Sequence, residues 1–360
     1  MKFNSFICIL LFSIFSYSDY KYETVLDRLD DAWSFVFLSE DKILFTEMSG
    51  SLKIASLKDK SITNITNIPK VQYVSQGGLS EVALDPNFKN NNKIYLTYSA
   101  KNENNKSTLF LMSAELINNT LINNQIIFTA IAPRRTAVHL GAKIAFMNDG
   151  TLLLTSGDGF DHREKAQKLD NHFGKIVRIN TDGSIPSDNP FIGFEGALED
   201  IYSYGHRNMQ GLIVTSSGEV FEHEHGPKGG DEINYISPSV NYGWPAITYG
   251  IDYSGAVISP FTEKEGMEQP MLYWTPSIAP SDMIFYENDY YPELQNSFLI
   301  TALVSKDVKK VTFKDNTNIQ ESLFSELNVR LRNIQDSPNG IIYLLTDGPD
   351  GKLIKVLPNK

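Results

Sequence analysis

His139 is the residue of this sequence best suited to take up a proton near neutral pH. It lies in the segment AVHLGAKIAF, immediately before a run of residues with strand character. An imidazole side chain changes its charge close to neutrality and commonly serves as a general base. A structural histidine held by hydrogen bonds gives the same pattern, so the residue alone leaves both interpretations open.

Three arginines are placed to bind an anionic group. Arg207 stands beside Asn208 in the segment IYSYGHRNMQGL, where a planar guanidinium group and an amide donor could meet one ligand. Arg330 and Arg332 are separated by one residue, so on a strand they face the same side. Together they indicate a multiply charged acidic ligand. The alternatives are a buried arginine that ties parts of the fold together and a pair of exposed salt bridges.

The segment EHEHGPKGGDEIN combines a tight turn with acidic residues. Gly226 and Pro227 offer backbone carbonyl oxygens, and the carboxylates of Asp231 and Glu232 follow shortly after. Oxygen donors of these two kinds are the ligands that Ca²⁺ prefers. A solvated acidic turn is the alternative, and no histidine or cysteine cluster of the sequence has the spacing of a zinc site.

The elements that carry these residues repeat one pattern: an apolar patch, a polar turn with Gly or Asn, and an alternating strand. Between β-rich runs, such turns are strong hairpin signals; the clearest are Asp149-Gly150, Ser217-Gly218 and Asn339-Gly340. The copies span residues 33–48, 82–99, 144–159, 212–226, 283–303 and 334–351. This repetition predicts an all-β fold, a six-bladed β-propeller, with a β-sandwich as the alternative. Loops from all blades of a propeller converge on one end of its channel, so distant polar residues can share a site.

Composition limits the kinds of partner. The formal net charge is -11 over 360 residues, which argues against nucleic acid because binding to phosphates rests on clustered Lys and Arg. The same sign disfavours docking on anionic lipid. The net charge is compatible with a small neutral or cationic partner.

Residues 1–18, MKFNSFICILLFSIFSYS, have the features of a secretory signal: an early lysine, an apolar run and small residues near the end. The apolar run is about ten residues long, whereas a membrane span needs roughly 20. A cleaved signal is therefore favoured over a membrane anchor. We expect residues 19–360 to form a single propeller domain in the periplasm or outside the cell, without cysteine because the only one is Cys8.

Taken together, these segments resemble the soluble aldose sugar dehydrogenases and glucose dehydrogenases, quinoproteins that use pyrroloquinoline quinone (PQQ). The matching segments run from Ser75 towards the end of the chain and include SQGGLSEVALDPNF, HLGAKIAF, GKIVRINTDGSIPSDNPF, IYSYGHRNMQGL, EHGPKGGDEIN, NYGWP, YWTPSIAPS and YLLTDGPDGKL. The resemblance implies a periplasmic six-bladed propeller that oxidises the C1 hydroxyl of aldoses to lactones. Hydride would pass to C5 of PQQ, and electrons then to a quinone or cytochrome.

The resemblance also implies roles for individual residues. His139 matches the base that takes the proton of the sugar C1 hydroxyl, and Arg207 and Asn208 match residues that polarise the quinone oxygen. For the cofactor and the sugar, the resemblance implies Gln76 near both, Trp274 as an aromatic wall of the sugar site, and Arg330 and Arg332 on the cofactor carboxylates. For calcium, it implies Gly226 and Pro227 as carbonyl ligands of a cofactor-bound Ca²⁺. It also implies a second Ca²⁺ site at Asp231, Glu232 and Tyr242.

Several positions depart from the family pattern. The usual Gly-Arg pair after the histidine is Ala142-Lys143, so we expect the added methyl group to crowd backbone near the cofactor. An acidic residue before the histidine is replaced by Val138, and a cofactor-contacting lysine by Val304. These departures keep two alternatives open: a calcium-dependent propeller hydrolase of the lactonase type, and a non-catalytic sugar-binding propeller.

Overall fold

The computed structural model describes residues 20–314 and 317–359, which form six four-stranded antiparallel sheets. The signal sequence predicted for residues 1–18 lies outside this range. Within it, no helix is both long enough and apolar enough to cross a membrane. The helical segments are the single turn α1 (Phe88–Asn91) and short 3-10 turns at Arg163–Gln167, Pro292–Leu294 and Ser325–Leu327.

The sheets follow the chain as successive blades. Blade 1 contains β2 (Ala32–Ser39), β3 (Lys42–Glu47), β4 (Ser51–Ser56) and β5 (Ile62–Asn64). Blade 2 contains β6 (Leu79–Leu84), β7 (Lys93–Lys101), β8 (Ser107–Ile117) and β9 (Thr120–Thr129). Blade 3 contains β10 (Gly141–Phe146), β11 (Leu152–Ser156), β12 (Lys175–Ile179) and β13 (Ile201–Tyr204).

The second half of the ring has the same plan. Blade 4 contains β14 (Met209–Val214), β15 (Val220–Glu224), β16 (Asp231–Tyr235) and β17 (Leu272–Trp274). Blade 5 contains β18 (Pro280–Tyr286), β19 (Ser297–Ala302), β20 (Val308–Lys314) and β21 (Thr317–Leu323). Blade 6 contains β22 (Leu331–Asp336), β23 (Ile342–Thr346) and β24 (Gly351–Pro358), and β1 (Tyr20–Leu29) pairs with β24 as its outermost strand.

The first strand of each blade lines the centre of the ring. Each of these inner strands contacts the inner strand of both neighbouring blades, and the contact between β2 and β22 closes the circle. Buried apolar residues fill the layers between blades; for example, Tyr95 and Leu111 of blade 2 pack with Ile144 and Leu154 of blade 3. The predicted six-bladed propeller is therefore confirmed, and each sequence repeat includes the first hairpin of one blade.

A change of register marks the start of every inner strand. In each blade the pairing between the inner strand and the next strand shifts near the first inner-strand residue, between Ala32 and Phe35, Leu79 and Val82, Gly141 and Ile144, Met209 and Gly211, Pro280 and Asp282, and Leu331 and Asn333. Such bulges bend a strand and increase its twist. All six inner strands therefore bend at the end of the channel that their preceding loops surround.

Candidate active site

The loops before the inner strands surround a cavity at the mouth of the central channel. This channel cavity has a volume of about 350 Å³, and every blade contributes to its wall, through Trp33, Gln76, Gly141, Asn208, Ala279 and Arg330. The convergence that a propeller predicts is thus present, because residues more than 250 positions apart in the chain line one space.

Two further cavities adjoin the first. The His139 cavity, of about 280 Å³, is lined by His139, Arg207 and Trp244. The apolar cavity, of about 670 Å³, is lined by Gly226, Pro227 and mostly apolar side chains. Pro227 lies in the walls of both of these cavities, while His225 lies between the apolar cavity and the channel cavity. The three cavities therefore form one continuous region.

His139 is held in a defined orientation by Asp158. The Nδ1 atom of His139 lies 2.7 Å from Oδ1 of Asp158, and the Nε1 group of Trp244 donates to the other oxygen of the same carboxylate at 2.8 Å. An ionised carboxylate accepts, so Nδ1 carries the proton and Nε2 is the ring nitrogen that can receive another. His139 also has a left-handed backbone conformation, with φ at 44°, which is uncommon outside glycine and clusters at functional sites.

The electrostatics of this pair favour a neutral base at neutral pH. Burial lowers the pKa of His139, an effect that the hydrogen bond to Asp158 opposes and the charge of Arg207 reinforces. Burial alone would raise the pKa of Asp158, but its bond with His139 and the nearby positive charge hold that pKa below its usual value. Asp158 is therefore ionised and can stabilise an imidazolium ion when His139 accepts a proton.

Gln76 connects the His139 loop to blade 2. Its side-chain oxygen accepts a hydrogen bond from the His139 backbone N–H at 2.9 Å, and its own backbone N–H donates to the Ala137 carbonyl at 2.9 Å. Gln76 also lines the channel cavity. The structure thus brings Gln76 and His139 together.

Arg207 and Asn208 face adjoining parts of the site. The Arg207 guanidinium group donates to the His225 carbonyl at 2.8 Å and lies over the Trp244 ring, with Cζ 5.3 Å from its centroid. Arg207 lines the His139 cavity, whereas Asn208 lines the channel cavity. The Asn208 oxygen accepts from the Gly141 N–H at 3.3 Å, which leaves its amide nitrogen as a donor.

Arg330 and Arg332 lie on one side of β22 and share a carboxylate. Each guanidinium donates to Asp347, Arg330 at 2.7 Å and Arg332 at 2.8 Å. Arg332 also lies over the Trp33 ring, at 4.2 Å from the centroid. Two positive charges share one negative charge at the wall of the channel cavity, so this wall keeps a net positive charge for an anionic ligand.

The Gly226–Pro227 turn is held in place by Asp231. One oxygen of the Asp231 carboxylate accepts from the Gly226 N–H at 2.9 Å. The other accepts from the Ser277 hydroxyl at 2.7 Å and from the backbone N–H groups of Ile278 and Ala279, each at 2.8 Å. A Cβ atom on Gly226 would lie 2.2 Å from the Gly230 carbonyl oxygen, so only glycine fits this turn.

Glu232 and Tyr242, the other two residues of the predicted second Ca²⁺ site, lie together in blade 4. Both line a small cavity that Glu224 also borders. The Tyr242 hydroxyl donates to the Tyr235 carbonyl at 2.7 Å and accepts from the Ser237 N–H at 2.9 Å. Burial, and then the charge of Glu222, raise the pKa of Glu232 to about 8, so this carboxyl group favours its protonated form at neutral pH.

Comparison with known proteins shows the family. The family model described as glucose/sorbosone dehydrogenase matches residues 29–355. The chain belongs to the glucose/sorbosone dehydrogenase family. It is therefore an oxidoreductase, and the family resemblance read from the sequence is confirmed.

Individual family members are similar over most of the chain. Aldose sugar dehydrogenase YliI of Escherichia coli is 36% identical over 344 residues, which cover 93% of this chain and 92% of that protein. The crystal structure of the soluble aldose sugar dehydrogenase of E. coli in its apo form has a TM-score of 0.90 at 33% identity, covering 94% of this chain and 100% of the other. Quinoprotein glucose dehydrogenase B of Acinetobacter calcoaceticus is 31% identical over 265 residues, 65% of this chain and 54% of that protein.

Two departures from the family pattern have structural explanations. The methyl group of Ala142 is buried in the apolar layer between blades 2 and 3; that it crowds backbone near the cofactor stays a prediction. The backbone of Ala142 is left-handed, with φ at 80°, a conformation that suits glycine. Lys143 points instead into the ring, where its Nζ contacts Glu81 at 2.8 Å and Asp282 at 2.7 Å. This buried triad joins the inner strands of blades 2, 3 and 5.

The other two departures, Val138 and Val304, lie closer to the cavities. Val304 is 59% exposed and forms part of the wall of the apolar cavity. Val138 is half-buried beside His139. Neither valine offers a charge or hydrogen bond to a ligand, so any such contact must come from other residues.

The structure places Trp274 apart from the three cavities. Its ring is buried on β17 with Phe221 and Ile278, and its Nε1 group donates to Gln320 at 2.8 Å. The indole that borders the His139 cavity belongs to Trp244. The sequence analysis assigned no role to Trp244 or Asp158, although both lie in recognisable turn segments, NYGWP and LTSGDG.

Proposed function

We propose that this chain oxidises the C1 hydroxyl of aldoses to lactones with PQQ as its cofactor. The observation that carries the proposal is the pair of His139 and Asp158 beside Arg207, in a cavity that continues into a positively charged channel mouth. An oriented base next to a fixed cation suits an alcohol oxidation in which the hydroxyl oxygen loses a proton to the base and the carbon loses a hydride to the acceptor. A related quinoprotein glucose dehydrogenase supports the same cofactor here.

The residues of the channel cavity fit an anionic, planar quinone. Arg330 and Arg332 present two guanidinium groups with only one counter-charge, Asp347. They would hold the cofactor carboxylates, since planar forks match such groups. Asn208 and Gln76 add amide groups to the same wall. When bound, PQQ supplies the two-electron acceptor that receives hydride from the sugar.

Calcium fits the turn beside this cavity. Gly226 and Pro227 would offer carbonyl oxygens to a Ca²⁺ ion that also contacts the cofactor, because hard oxygen donors are the ligands this ion prefers. Glu232 would serve a second Ca²⁺ with the backbone carbonyl of Tyr242, whose hydroxyl is already engaged. The Asp231 carboxylate accepts four hydrogen bonds, so its role at this site is to brace the turn.

The protein's own groups move the proton. Nε2 of His139 takes the proton of the C1 hydroxyl, and the ionised Asp158 stabilises the imidazolium ion that forms. The Arg207 guanidinium stabilises negative charge that develops on the neighbouring oxygen atoms. Trp244 holds Asp158 and Arg207 in place, because its Nε1 group donates to the Asp158 carboxylate and its ring lies under the Arg207 guanidinium group.

We also propose export through the segment 1–18, a periplasmic or extracellular location, and a quinone or cytochrome as electron acceptor. Cell fractionation followed by N-terminal sequencing of the mature protein tests the first two. A mature protein in the cytoplasm that keeps its first residues contradicts them.

The function is tested by titrating the purified protein with PQQ and Ca²⁺ and then adding an aldose with an artificial dye acceptor. We expect saturable, calcium-dependent dye reduction and formation of the lactone. The variant His139→Gln should bind PQQ normally but lose turnover. The matched control His162→Gln changes a histidine on a loop near the cavity and should keep turnover.

Other outcomes assign a different function. PQQ binding without turnover on any aldose supports the sugar-binding alternative. Absence of PQQ binding together with calcium-dependent lactone hydrolysis supports the hydrolase alternative.

A further inference from the structure

Blade 4 contains a buried acidic patch next to a histidine. Glu222 and Glu224 on β15 face Asn234 and Glu232 on β16, because these are paired positions of the strand register. Side chains at paired and alternate positions share one face of a sheet. His206, from the segment that follows β13, points at the patch and is 0% exposed, as is Glu222.

Two polar atoms of this cluster are buried without a hydrogen-bond partner, Nδ1 of His206 and Oε2 of Glu222. The surrounding groups fix them in place. The Nε2 atom of His206 is bound to the Ser203 hydroxyl at 2.9 Å, and the ring stacks on Tyr242 at 4.7 Å between centroids. Asn234 donates to the other oxygen of Glu222 at 2.7 Å. Buried unpaired polar atoms are costly, and an imidazole nitrogen and a carboxylate oxygen that are both unpaired in one patch are suited to share a cation.

The geometry matches metal coordination better than a hydrogen bond. Nδ1 of His206 lies 3.6 Å from Oε1 of Glu222, the oxygen that accepts from Asn234, and this distance is too long for a hydrogen bond. The unpartnered Oε2 belongs to the same carboxylate. Two ligands of a tetrahedral metal with bonds of about 2.0–2.1 Å lie roughly 3.4 Å apart. One ligand atom each from His206, Glu222 and Glu224 can be chosen so that all lie within 4.8 Å of one another.

We propose that His206, Glu222 and Glu224 bind a divalent transition-metal ion such as Zn²⁺. An imidazole nitrogen with two carboxylates suits this class of ion, whereas Ca²⁺ takes oxygen ligands. The site adjoins the calcium position proposed at Glu232, since Glu224 and Glu232 are paired on neighbouring strands and border one small cavity, and it differs from that position in its nitrogen ligand. It goes beyond the proposed sugar oxidation and does not depend on it.

Charge supports this assignment. The positive side chains that act on the cluster are committed elsewhere: Lys175 Nζ donates to backbone carbonyls of Lys165, Ala166 and Phe173, and the Arg207 guanidinium donates to the His225 carbonyl. A divalent ion balances the two carboxylates. The Ser203 contact orients the imidazole as the outer partners of metal ligands commonly do.

The site also connects to the candidate active site. The Glu224 carboxylate accepts the backbone N–H of Arg207, so a metal that fixes Glu224 also positions Arg207. The ion is then structural, and its removal loosens the arginine beside His139.

The test uses the purified chain without PQQ, dialysed first against a chelator and then into buffer with excess Ca²⁺ to fill sites made of oxygen ligands. Zn²⁺ is added in equilibrium dialysis, and bound metal is measured by elemental analysis. We expect one Zn²⁺ per chain, and binding about 100-fold weaker in both Glu222→Gln and His206→Gln. Zn²⁺ should raise the melting temperature of the unchanged protein but not of the Glu222→Gln variant.

The matched control is His223→Gln. His223 is equally buried on the same strand and has two unpartnered ring nitrogens, but its side chain points to the opposite face. This variant should bind Zn²⁺ like the unchanged protein. Absence of a bound Zn²⁺ in excess Ca²⁺, or equal binding by the Glu222 variant and the control, overturns the proposal. Because neither PQQ nor sugar is present, the result is independent of the proposed dehydrogenase activity.

Discussion

Asp158 and His139 form a buried acid–base pair in which the carboxylate oxygen lies 2.7 Å from Nδ1 of the imidazole. The two residues come from different loops of blade 3, one before β10 and one after β11. The first hairpin of the blade therefore carries both partners, while Gln76 and Trp244 brace them from the neighbouring blades.

Replacing Asp158 with Asn should lower kcat for aldose oxidation roughly 100-fold or more, in line with the usual contribution of an oriented base. The amide cannot stabilise the imidazolium ion and no longer fixes the productive tautomer. Steady-state kinetics with PQQ and Ca²⁺ saturating measure the effect. Asp161→Asn changes another carboxylate of the same cavity wall and should leave kcat within about twofold. Equal losses in both variants would falsify the assigned role of Asp158.

The pH profile should report His139 as a base with a lowered pKa. The imidazole must be neutral to accept a proton, and its pKa is lowered by burial. The acid limb of kcat/KM should therefore lie below about 6.5, the ordinary value for histidine. Asp158 raises this pKa, so the limb should move to still lower pH in Asp158→Asn. A limb above the ordinary value in the unchanged enzyme contradicts this account.

Replacing Lys143 with Met should destabilise the propeller by about 3–5 kcal/mol at pH 8, because two buried carboxylates lose their shared cation. Burial already raises the pKa of Glu81 to about 7. A carboxyl group whose folded pKa is raised stabilises the fold below its unfolded value and loses that contribution as pH rises through both values. The penalty in Lys143→Met should therefore shrink at pH 5.

Urea unfolding at both pH values measures this change. Adding Glu81→Gln to the Lys143 variant should recover part of the lost stability at pH 8, since one of the two like charges is removed. If the double variant is no more stable than Lys143→Met, the two residues are not coupled as the contacts indicate.

The planar shape of the Arg332 guanidinium group, in addition to its charge, should matter for cofactor affinity. The guanidinium lies over Trp33 and contacts Asp347, a planar arrangement that lysine cannot reproduce. Arg332→Lys should weaken PQQ binding about tenfold to 100-fold, given roughly 1.5–3 kcal/mol for a charged hydrogen bond. Fluorescence titration with PQQ measures the affinity, and Lys310→Ala on an outer strand serves as the control. An unchanged affinity removes Arg332 from the cofactor site.

Asp231→Asn should disturb the Gly226 turn. The amide nitrogen cannot accept from backbone N–H groups, so one or more of the four hydrogen bonds is lost, at about 1–3 kcal/mol for each buried group left unpaired. We expect a lower melting temperature and a higher Ca²⁺ concentration for half-maximal PQQ binding. Asp182→Asn, which changes an exposed carboxylate in a turn of blade 3, is the control. A normal calcium requirement in the Asp231 variant shows that the turn does not hold the ion.

The repeated hairpins made the fold predictable from sequence. Alternating strands and the turns at Gly150, Gly218 and Gly340 are local signals, and each lies between paired strands as expected. The outermost strand β1 was not recognised, because its partner β24 lies more than 300 residues away in the chain. Pairing over that distance leaves no local pattern.

Motifs were enough to select several residues of the candidate site, but the sequence does not show which side chains are buried together. Gln76, Arg330 and Arg332 were selected from motifs, and all three line the channel cavity. Trp244 and Trp274 cannot be ranked from sequence, since both lie beside β-rich segments. Only the packing shows that Trp244 donates to Asp158 while Trp274 bonds Gln320.

The pairing of β1 with β24 has a consequence for when the protein can become native. β1 is completed only when β24 pairs with it, so blade 6 stays incomplete until two strands more than 300 residues apart in the chain meet. Contacts of such long separation form slowly because a very large loop must close. If the chain is exported, translocation delivers β1 and β24 at different times, and completion of blade 6 follows the arrival of the later strand.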